Sequence, residues 1–580
     1  MTETPSAAAP PETKPRSFIG ALGVFADRRI AVMLGLGFAA GLPNFLIFDT
    51  MSAWLRAAGL SLAVISLFSL ATLPYSFKFL WAPLVDRTAI PGLTRWLGHR
   101  RSWMIVAQIG VIACLFLIST CDPARGLPVL AVFAVIAGFC SATQDIVIDA
   151  WRIEAADATR QGAMAAAYQW GYRIANIAAG AAPLFLADRA GWHVAYAAMA
   201  GVMGLGVLAV LGAPREAQHM VRPIPTDGTA PAPVRDAVEW AARLVLLILA
   251  AALLGSGLGA KADLLAGAAR LIGATDIADW LMKAWTAKPN GVWLQLVAVL
   301  AGFGVISVAA VPIPRLKTRP GVYLFHALGD PLVDFFNRFG KGALLILALI
   351  CLYRVSDFVL NIMNAFYQDL GFTLTQIAEV RKVFGFWASM GGVFIGGLSV
   401  ARLGVMRSLM IGAVALPITN TIFGWLAVQG PSVQSLLIAI GIDNIVSAYA
   451  GTCLIAYMSS LTSKGFTATQ YALFSSLYSL PGKLIASQSG RIVEAAAQSA
   501  EHGGALAPLR ALFAHMPPQA FASALAKSHV DPASLGAGYV LFFLYSGAVG
   551  IAAMVLSVLV ARLKPHEAPA PDAPTEEPAA

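Results

Sequence analysis

Residues 48–65 read FDTMSAWLRAAGLSLAVI, and residues 360–377 read LNIMNAFYQDLGFTLTQI. Laid over one another at an offset of 312, they pair Met51 with Met363, Ala53 with Ala365 and Trp54 with Phe366. They also pair Gly59 with Gly371, Leu62 with Leu374 and Ile65 with Ile377. Apolar helices share Leu and Ala by chance, so a second echo matters. Tyr168 stands five residues before Arg173, which stands seven before Gly180, and Tyr478, Lys483 and Gly490 repeat those intervals. A tyrosine, a cation and a glycine at equal spacing mark the chain as a duplication.

The repeats are embedded in apolar sequence. Of 580 residues, 58% are hydrophobic and 12% charged, with a mean hydropathy of +0.72. Soluble domains carry roughly 25% charge. A chain with so little charge cannot cover its apolar surface in water, and an all-α integral membrane protein is expected. Apolar runs recur at 30–55, 62–85, 103–120, 129–150, 162–186, 194–211, 241–258 and 291–311. They continue at 343–367, 377–400, 408–428, 433–459, 468–493 and 539–560. Each approaches the ~20 residues that cross ~30 Å of hydrocarbon, which gives about fourteen spans. The short alternating segments of a β-barrel are absent.

The net charge of +9 gathers in alternate loops. Arg28 and Arg29 precede the first run; Arg87, Arg95, Arg100 and Arg101 follow the second; Arg152 and Arg160 follow the fourth. Basic loops mark the cytoplasmic side, so both termini are expected there. Charge spread in this way argues against a nucleic-acid partner. Residues 1–29 contain no signal-peptide core and, with 562–580, read as disordered cytoplasmic tails. The two halves are expected at 30–212 and 343–561, six spans each. Between them lie cytoplasmic linkers at 213–240 and 313–342 and an inserted two-helix hairpin at 241–312. A periplasmic insertion is expected at 497–538. Six spans per half keep both halves in one orientation, and parallel repeats of this kind build the major-facilitator fold, with solute held near mid-membrane. A monomer is expected.

A charge at the centre of a spanning helix costs about 2.5–3.5 kcal/mol on insertion scales, so those that persist face water or a partner. Lys78, Asp145, Asp149, Arg173, Arg354, Asp357, Lys382, Asp443 and Lys483 are the candidates. Arg173 and Lys483, at equivalent depths, are expected to face each other across a cavity and bind an anion; alternatively each neutralises a nearby carboxylate. In FCSATQDIVIDAWR (139–152), Asp145 and Asp149 share one helical face about 6 Å apart. Close carboxylates in a poor dielectric can hold and release a proton. Asp145 is the coupling candidate. Asp149 and Lys78 read equally as parts of structural ion pairs with Asp145 and Arg152. Arg354 and Asp357 are spaced to neutralise each other, while Asp357 or Asp443 could also exchange a proton. Gln144 and Asn444 offer hydrogen bonds to a polar ligand. Trp54, Tyr168, Trp170, Tyr172, Phe366 and Tyr478 can stack on sugar rings or simply pack. Asp86 and Arg87, in PLVDRTAIPGLTRWLGHRRSW (83–103), can latch the cytoplasmic side together with Arg100 and Arg101. The five cysteines show no paired spacing, so neither disulfides nor a metal is expected. No metal-ligand histidine pair, activated nucleophile or nucleotide loop marks an enzyme.

GFAAGLPNFL (37–46), FKFLWAPLVDR (77–87), FCSATQDIVIDAWR, GYR (171–173) and FTATQYALFSSL (466–477) resemble the AmpG-type muropeptide permeases of the major facilitator superfamily. The resemblance implies proton-driven import of anionic sugar-peptides (an amino sugar joined to an anhydro-muramyl peptide) across a bacterial inner membrane for cell-wall recycling. In some bacteria that supply feeds β-lactamase induction. No cofactor is implied, the proton being the coupling ion. Carried over by position, it points to Gln144, Asp145, Asp149, Lys78, Arg173, Gln470 and Lys483. Acetyl-coenzyme A carriers and some siderophore importers look similar at a coarser level, which leaves another anionic solute as the alternative.

Overall fold

The computed structural model describes residues 27–58, 74–123, 127–157, 160–215, 232–258, 262–287, 291–310, 318–373, 376–377, 379–478, 489–504, 506–522, 524–525 and 529–563. No strand occurs among them. In the first half the helices are α1 (Arg28–Phe45), the short α2 (Ala82–Arg87), α3 (His99–Ser119), α4 (Leu127–Glu154), α5 (Gln161–Ala190) and α6 (Trp192–Gly212). Then come α7 (Pro233–Leu258), α8 (Gly291–Ala310) and α9 (Arg319–Phe339). The second half holds α10 (Ala343–Leu352), α11 (Gly385–Leu403), α12 (Val405–Gln429), α13 (Val433–Ser460), α14 (Thr467–Leu477), α15 (Ser489–Glu501) and α16 (Pro532–Ala561). Nine helical stretches among the described residues are long and apolar enough to cross a membrane. Four expected runs, 62–85, 291–311, 377–400 and 468–493, contain residues outside the described ones.

The duplication has counterparts in the backbone. The first run loses α-geometry at Leu46–Thr50, where the chain widens into a π-turn, before resuming at Met51–Ala57. The related run tightens into a 3₁₀ turn at Leu360–Ile362, before Met363–Asp369. The offset of 312 sets 360–362 on 48–50, so both repeats turn irregular there, although the second also turns at Tyr353–Arg354 after α10 ends. Such breaks expose backbone groups and in membranes line polar interiors. A second pair of features agrees. Gly98 enters α3 at φ 96°, ψ 170°, and Gly404 enters α12 at φ 85°, ψ 165°. A side chain rarely adopts that backbone, and glycine adopts it freely.

Within the first half, α1 packs on α5 and α6, and α3 on α4 and α6. The α1–α5 crossing is backbone on backbone. A Cβ on Gly171 would lie 2.0 Å from the Leu34 carbonyl oxygen, and one on Gly37 would lie 2.2 Å from that of Tyr168. Small residues substitute here for the hydrophobic driving force that lipid removes. In the second half, α11 packs on α13, and α12 on α13 and α16. The halves meet where α5 crosses α11 and α13 and where α14 crosses α2 and α4.

The linkers differ from expectation. Residues 313–342 contain α9, a 21-residue amphipathic helix with Phe325, Val333 and Phe336 exposed on one side. Apolar residues at helical spacing make it an interfacial helix rather than a loop. The hairpin helix α7 starts at Pro233, because its first turns satisfy their charges internally: Arg243 pairs with Glu239, which also accepts from the Thr318 hydroxyl. Hairpin residues Ala250, Leu254, Val299 and Ile306 join the first half's core. The insertion before the last span is bounded tightly, since α15 ends at Glu501 and α16 begins at Pro532. Between them Phe513 and Phe521 pack with Tyr539 over the end of the second half.

Gly171→Leu should destabilise the protein by about 3 kcal/mol or more, since overpacking a backbone contact cannot relax by rotamer change. Gly180→Ala, where an added Cβ meets nothing within 4 Å, should leave thermal unfolding in detergent unchanged. Equal melting temperatures for the two variants would refute the crossing.

Candidate functional site

The end of the bundle carrying Arg87, Arg100, Arg152, Arg338 and Arg402 is termed the basic end. Polar side chains between the halves lie in two layers, one at that end and one deeper.

At the basic end, Asp86 closes α2 and reaches into the second half. Its carboxylate accepts from the backbone N–H of Ala468 (3.2 Å) and Thr469 (2.9 Å) and from the Thr469 hydroxyl (2.7 Å). These groups form the first turn of α14, where unpaired amides and the helix dipole favour an anion. Asp86 is held by Arg100 at 2.8 Å, which also forks onto Glu154 at 2.6 Å, and both Asp86 and Arg100 side chains are fully buried. Arg152 crosses too, donating to the Ser459 hydroxyl (2.8 Å) and lying over the Tyr471 ring. A side chain on Gly162 would strike Val400 and the Gly397 carbonyl, so α5 and α11 touch closely at this end. Helix α9 spans the seam from outside. Arg87 bonds the His326 carbonyl and sits 3.7 Å from Asp330. One turn on, Asp334 accepts from Ser463 and Gln470, and Arg338 donates to the Leu461 carbonyl. In this conformation the basic end is shut.

The deeper layer begins with Lys78, which bonds Asp145 and lies 3.7 Å from Asp149. Asp149 turns its other oxygen to Arg152 at 3.2 Å. Tyr168 donates to Asp145 at 2.7 Å. Two cations and two carboxylates thus form a balanced chain, in which Asp145 and Asp149 share Lys78. Nearby, Asn44 donates to the Tyr172 hydroxyl and Tyr75 to the Ser141 hydroxyl.

Across the seam, Arg354 pairs with Asp357 at 2.6 Å, and the Ser447 hydroxyl bridges both. Arg173 points toward this group from α5. It makes no hydrogen bond or ion pair with any described residue, its Nε is buried without a partner, and the charge it feels most is that of Arg354. Two guanidiniums this close, one of them without an ion pair among the described residues, are suited to bind an anion. Tyr478 lies within electrostatic reach of both Lys78 and Arg354 and so stands between the two groups. Asp443 makes no hydrogen bond with described residues and lies in the field of Asp357, Arg354 and Arg381.

Other expected site residues sit elsewhere. Gln470 spends its amide on the Pro331 carbonyl and Asp334 and accepts from Arg338 and Ser463, so it belongs to the closed basic end. Asn444 is committed to Ser389 and the Ile440 carbonyl. Gln144 is fully buried with neither amide atom hydrogen-bonded to a described residue. Arg101 bonds the Val210 and Leu211 carbonyls and ties α3 to α6 within one half. Lys483 and the Lys382 side chain lie outside the described residues. The sequence undervalued Arg354, read only as a partner for Asp357, and Arg152, read only as a partner for Asp149. An arginine in an apolar run with one nearby acid has donors to spare, and that was the available signal.

A solved structure of similar shape is that of the proton:xylose symporter XylE bound to 6-bromo-6-deoxy-D-glucose. It covers 92% of this chain and 94% of its own, with a TM-score of 0.50 at 12% identity. At that identity the likeness is one of fold: the chain has the two-bundle helical architecture of that symporter. In sequence the chain is similar to the AmpG-type permeases. It is 28% identical over 477 residues to the anhydromuropeptide permease of Escherichia coli K12, covering 82% of this chain and 76% of that one. It is 28% identical over 473 residues to the Rickettsia felis protein named AmpG 4, covering 81% and 91%. A family model described as acetyl-coenzyme A transporter 1 matches residues 29–125.

Asp86→Ala should release α14 and open the basic end. In a cysteine-free background, spin labels at Asp157 and Arg402, both exposed and on opposite halves, should move apart relative to wild type. An unchanged distance distribution would show that the Asp86 contact does not hold the halves together.

Proposed function

We propose that this protein is a proton-coupled importer of anionic muropeptides, amino sugar–anhydro-muramyl peptides, moving them from periplasm to cytoplasm by alternating access. The observation that carries the reading is Arg173, a mid-depth cation without a counter-ion, set beside Arg354 of the other half. A substrate carboxylate placed between them would supply the missing charge and draw the halves together. Lys483, at the depth equivalent to Arg173 in the repeat, is the further cation assigned to this site. Tyr168, Tyr172 and Tyr478 offer rings and hydroxyls to sugar.

In this reading the basic end and both termini face the cytoplasm of a bacterial inner membrane, an orientation the basic loops support. The conformation described above is then closed to the cytoplasm. For release inward, Asp86 must leave the first turn of α14, Arg152 must leave Ser459, and α9 must let go of Arg87 or of Gln470. Asp145 is the proton carrier in this reading. Protonated, it yields Lys78 to Asp149 alone and weakens the link between α4 and the Lys78 segment. Asp357 and Asp443 are the second-half candidates for the same task. Each proton crossing 100 mV supplies about 2.3 kcal/mol, which supports roughly fiftyfold accumulation at 1.4 kcal/mol per decade. The substrate class rests on the permease relatives. The match of 29–125 to an acetyl-coenzyme A transporter model supports a second reading, import of an acyl-coenzyme A or similar anion.

Uptake of labelled anhydro-muropeptide into proteoliposomes under an imposed pH step tests the proposal, with acetyl-coenzyme A as competitor. Accumulation blocked by excess unlabelled muropeptide supports it; no uptake by folded protein, or preferential loss to acetyl-coenzyme A, refutes the substrate. Arg173→Ala should raise KM about tenfold or more, since a hydrogen bond to a charged group is worth about 1.5–3 kcal/mol. Asp145→Asn should abolish accumulation while sparing exchange down a gradient, and undiminished accumulation would place coupling elsewhere.

A further inference from the structure

A cavity of about 680 Å³ lies at the basic end of the second half, apart from the seam. One wall is apolar, built from Ile346, Met406, Val560 and Leu563, and the other side carries Lys341 and Arg338. Lys341 is exposed and has no hydrogen bond or ion pair with a described residue. Tyr457 also lines the cavity. It is 5% exposed, yet its hydroxyl has no hydrogen-bond partner among the described residues. The 3₁₀ turn Gly340–Gly342, which carries Lys341 and leads into α10, lines the same cavity, and the Ala343 amide closes onto the Gly340 carbonyl.

We propose that this cavity binds one anionic glycerophospholipid of the leaflet at the basic end. The phosphate takes the Lys341 ammonium and the Tyr457 hydroxyl, and an acyl chain lies along Met406, Val560 and Leu563. A buried hydroxyl with no hydrogen bond to a described residue and an ammonium lining the same cavity are donors suited to one oxyanion. The apolar wall selects a lipid over free phosphate, which would leave that surface wet. The buried Tyr457 hydroxyl separates this site from generic surface attraction. The site adjoins the closed seam through Arg338, whose guanidinium already holds the Leu461 carbonyl and the Gln470 side chain.

Native mass spectrometry of the full-length protein in detergent tests the site, with phosphatidylglycerol, phosphatidylcholine or inorganic phosphate as probe. Wild type should retain one phosphatidylglycerol more firmly than phosphatidylcholine, and its Tm should rise with phosphatidylglycerol alone. Lys341→Ala should weaken retention about fivefold, the usual contribution of one basic residue at an anionic surface. Tyr457→Phe, which removes a single oxygen from a packed ring, should weaken it without lowering the Tm of the lipid-free protein. Equal retention of phosphatidylcholine, undiminished retention by both variants, or displacement by inorganic phosphate would each overturn the assignment.

Discussion

A positive charge held in a low-dielectric interior without a counter-ion is the constraint around which this molecule is organised. Every other described cation of the polar layers is compensated: Lys78 by Asp145 and Asp149, Arg152 by Asp149, Arg100 by Asp86 and Glu154, Arg354 by Asp357. Arg173 alone among these has no such partner in the described residues, and its neighbour Arg354 repels it. At about 2.5–3.5 kcal/mol for a charge at mid-helix, an arginine so placed is costly to the resting fold. A solute that neutralises it recovers that cost on binding. This is how affinity for an anion can be coupled to a change in how the two halves meet.

The second organising feature is the closure at the basic end. It is made from groups that must all let go together. Asp86 satisfies two α14 amides that would otherwise be orphaned in protein, and Arg100 holds Asp86 and Glu154 at once. Helix α9 adds a brace from outside, with Arg87 at one end and Ser463 and Gln470 at the other. The inserted hairpin leads directly into that brace through Thr318, whose hydroxyl bonds Glu239. An element that looks peripheral in the chain order is therefore mechanically connected to the seam.

Much of this was legible in the sequence. The spans follow from apolar run length, and the duplication follows from Met51–Met363 and the Tyr–cation–Gly spacing. The matched helix breaks at 46–50 and 360–362 give that repeat a physical meaning. Pairings three or four residues apart, such as Arg354 with Asp357 and Arg152 with Asp149, were readable because helix geometry fixes them locally. Contacts between the halves were harder. Gln470 was placed with the solute by resemblance, yet its partners lie on α9, in a stretch read as a linker because its amphipathic period was overlooked. Gln144 adjoins Asp145, but adjacent residues on a helix point in different directions, and its side chain is fully buried apart from the Lys78 pairings. Arg354 as the neighbour of Arg173 depends on how two bundles dock, and no local pattern encodes that.

The central claim is that the Arg173–Arg354 pair reads negative charge on the solute. Calorimetric binding of an anhydro-muropeptide should be compared with binding of the same molecule after amidation of its carboxylates, to wild type and to Arg173→Ala. The account predicts that amidation weakens binding to wild type at least tenfold and has little further effect on the variant. Equal affinity of wild type for the charged and amidated forms would contradict it.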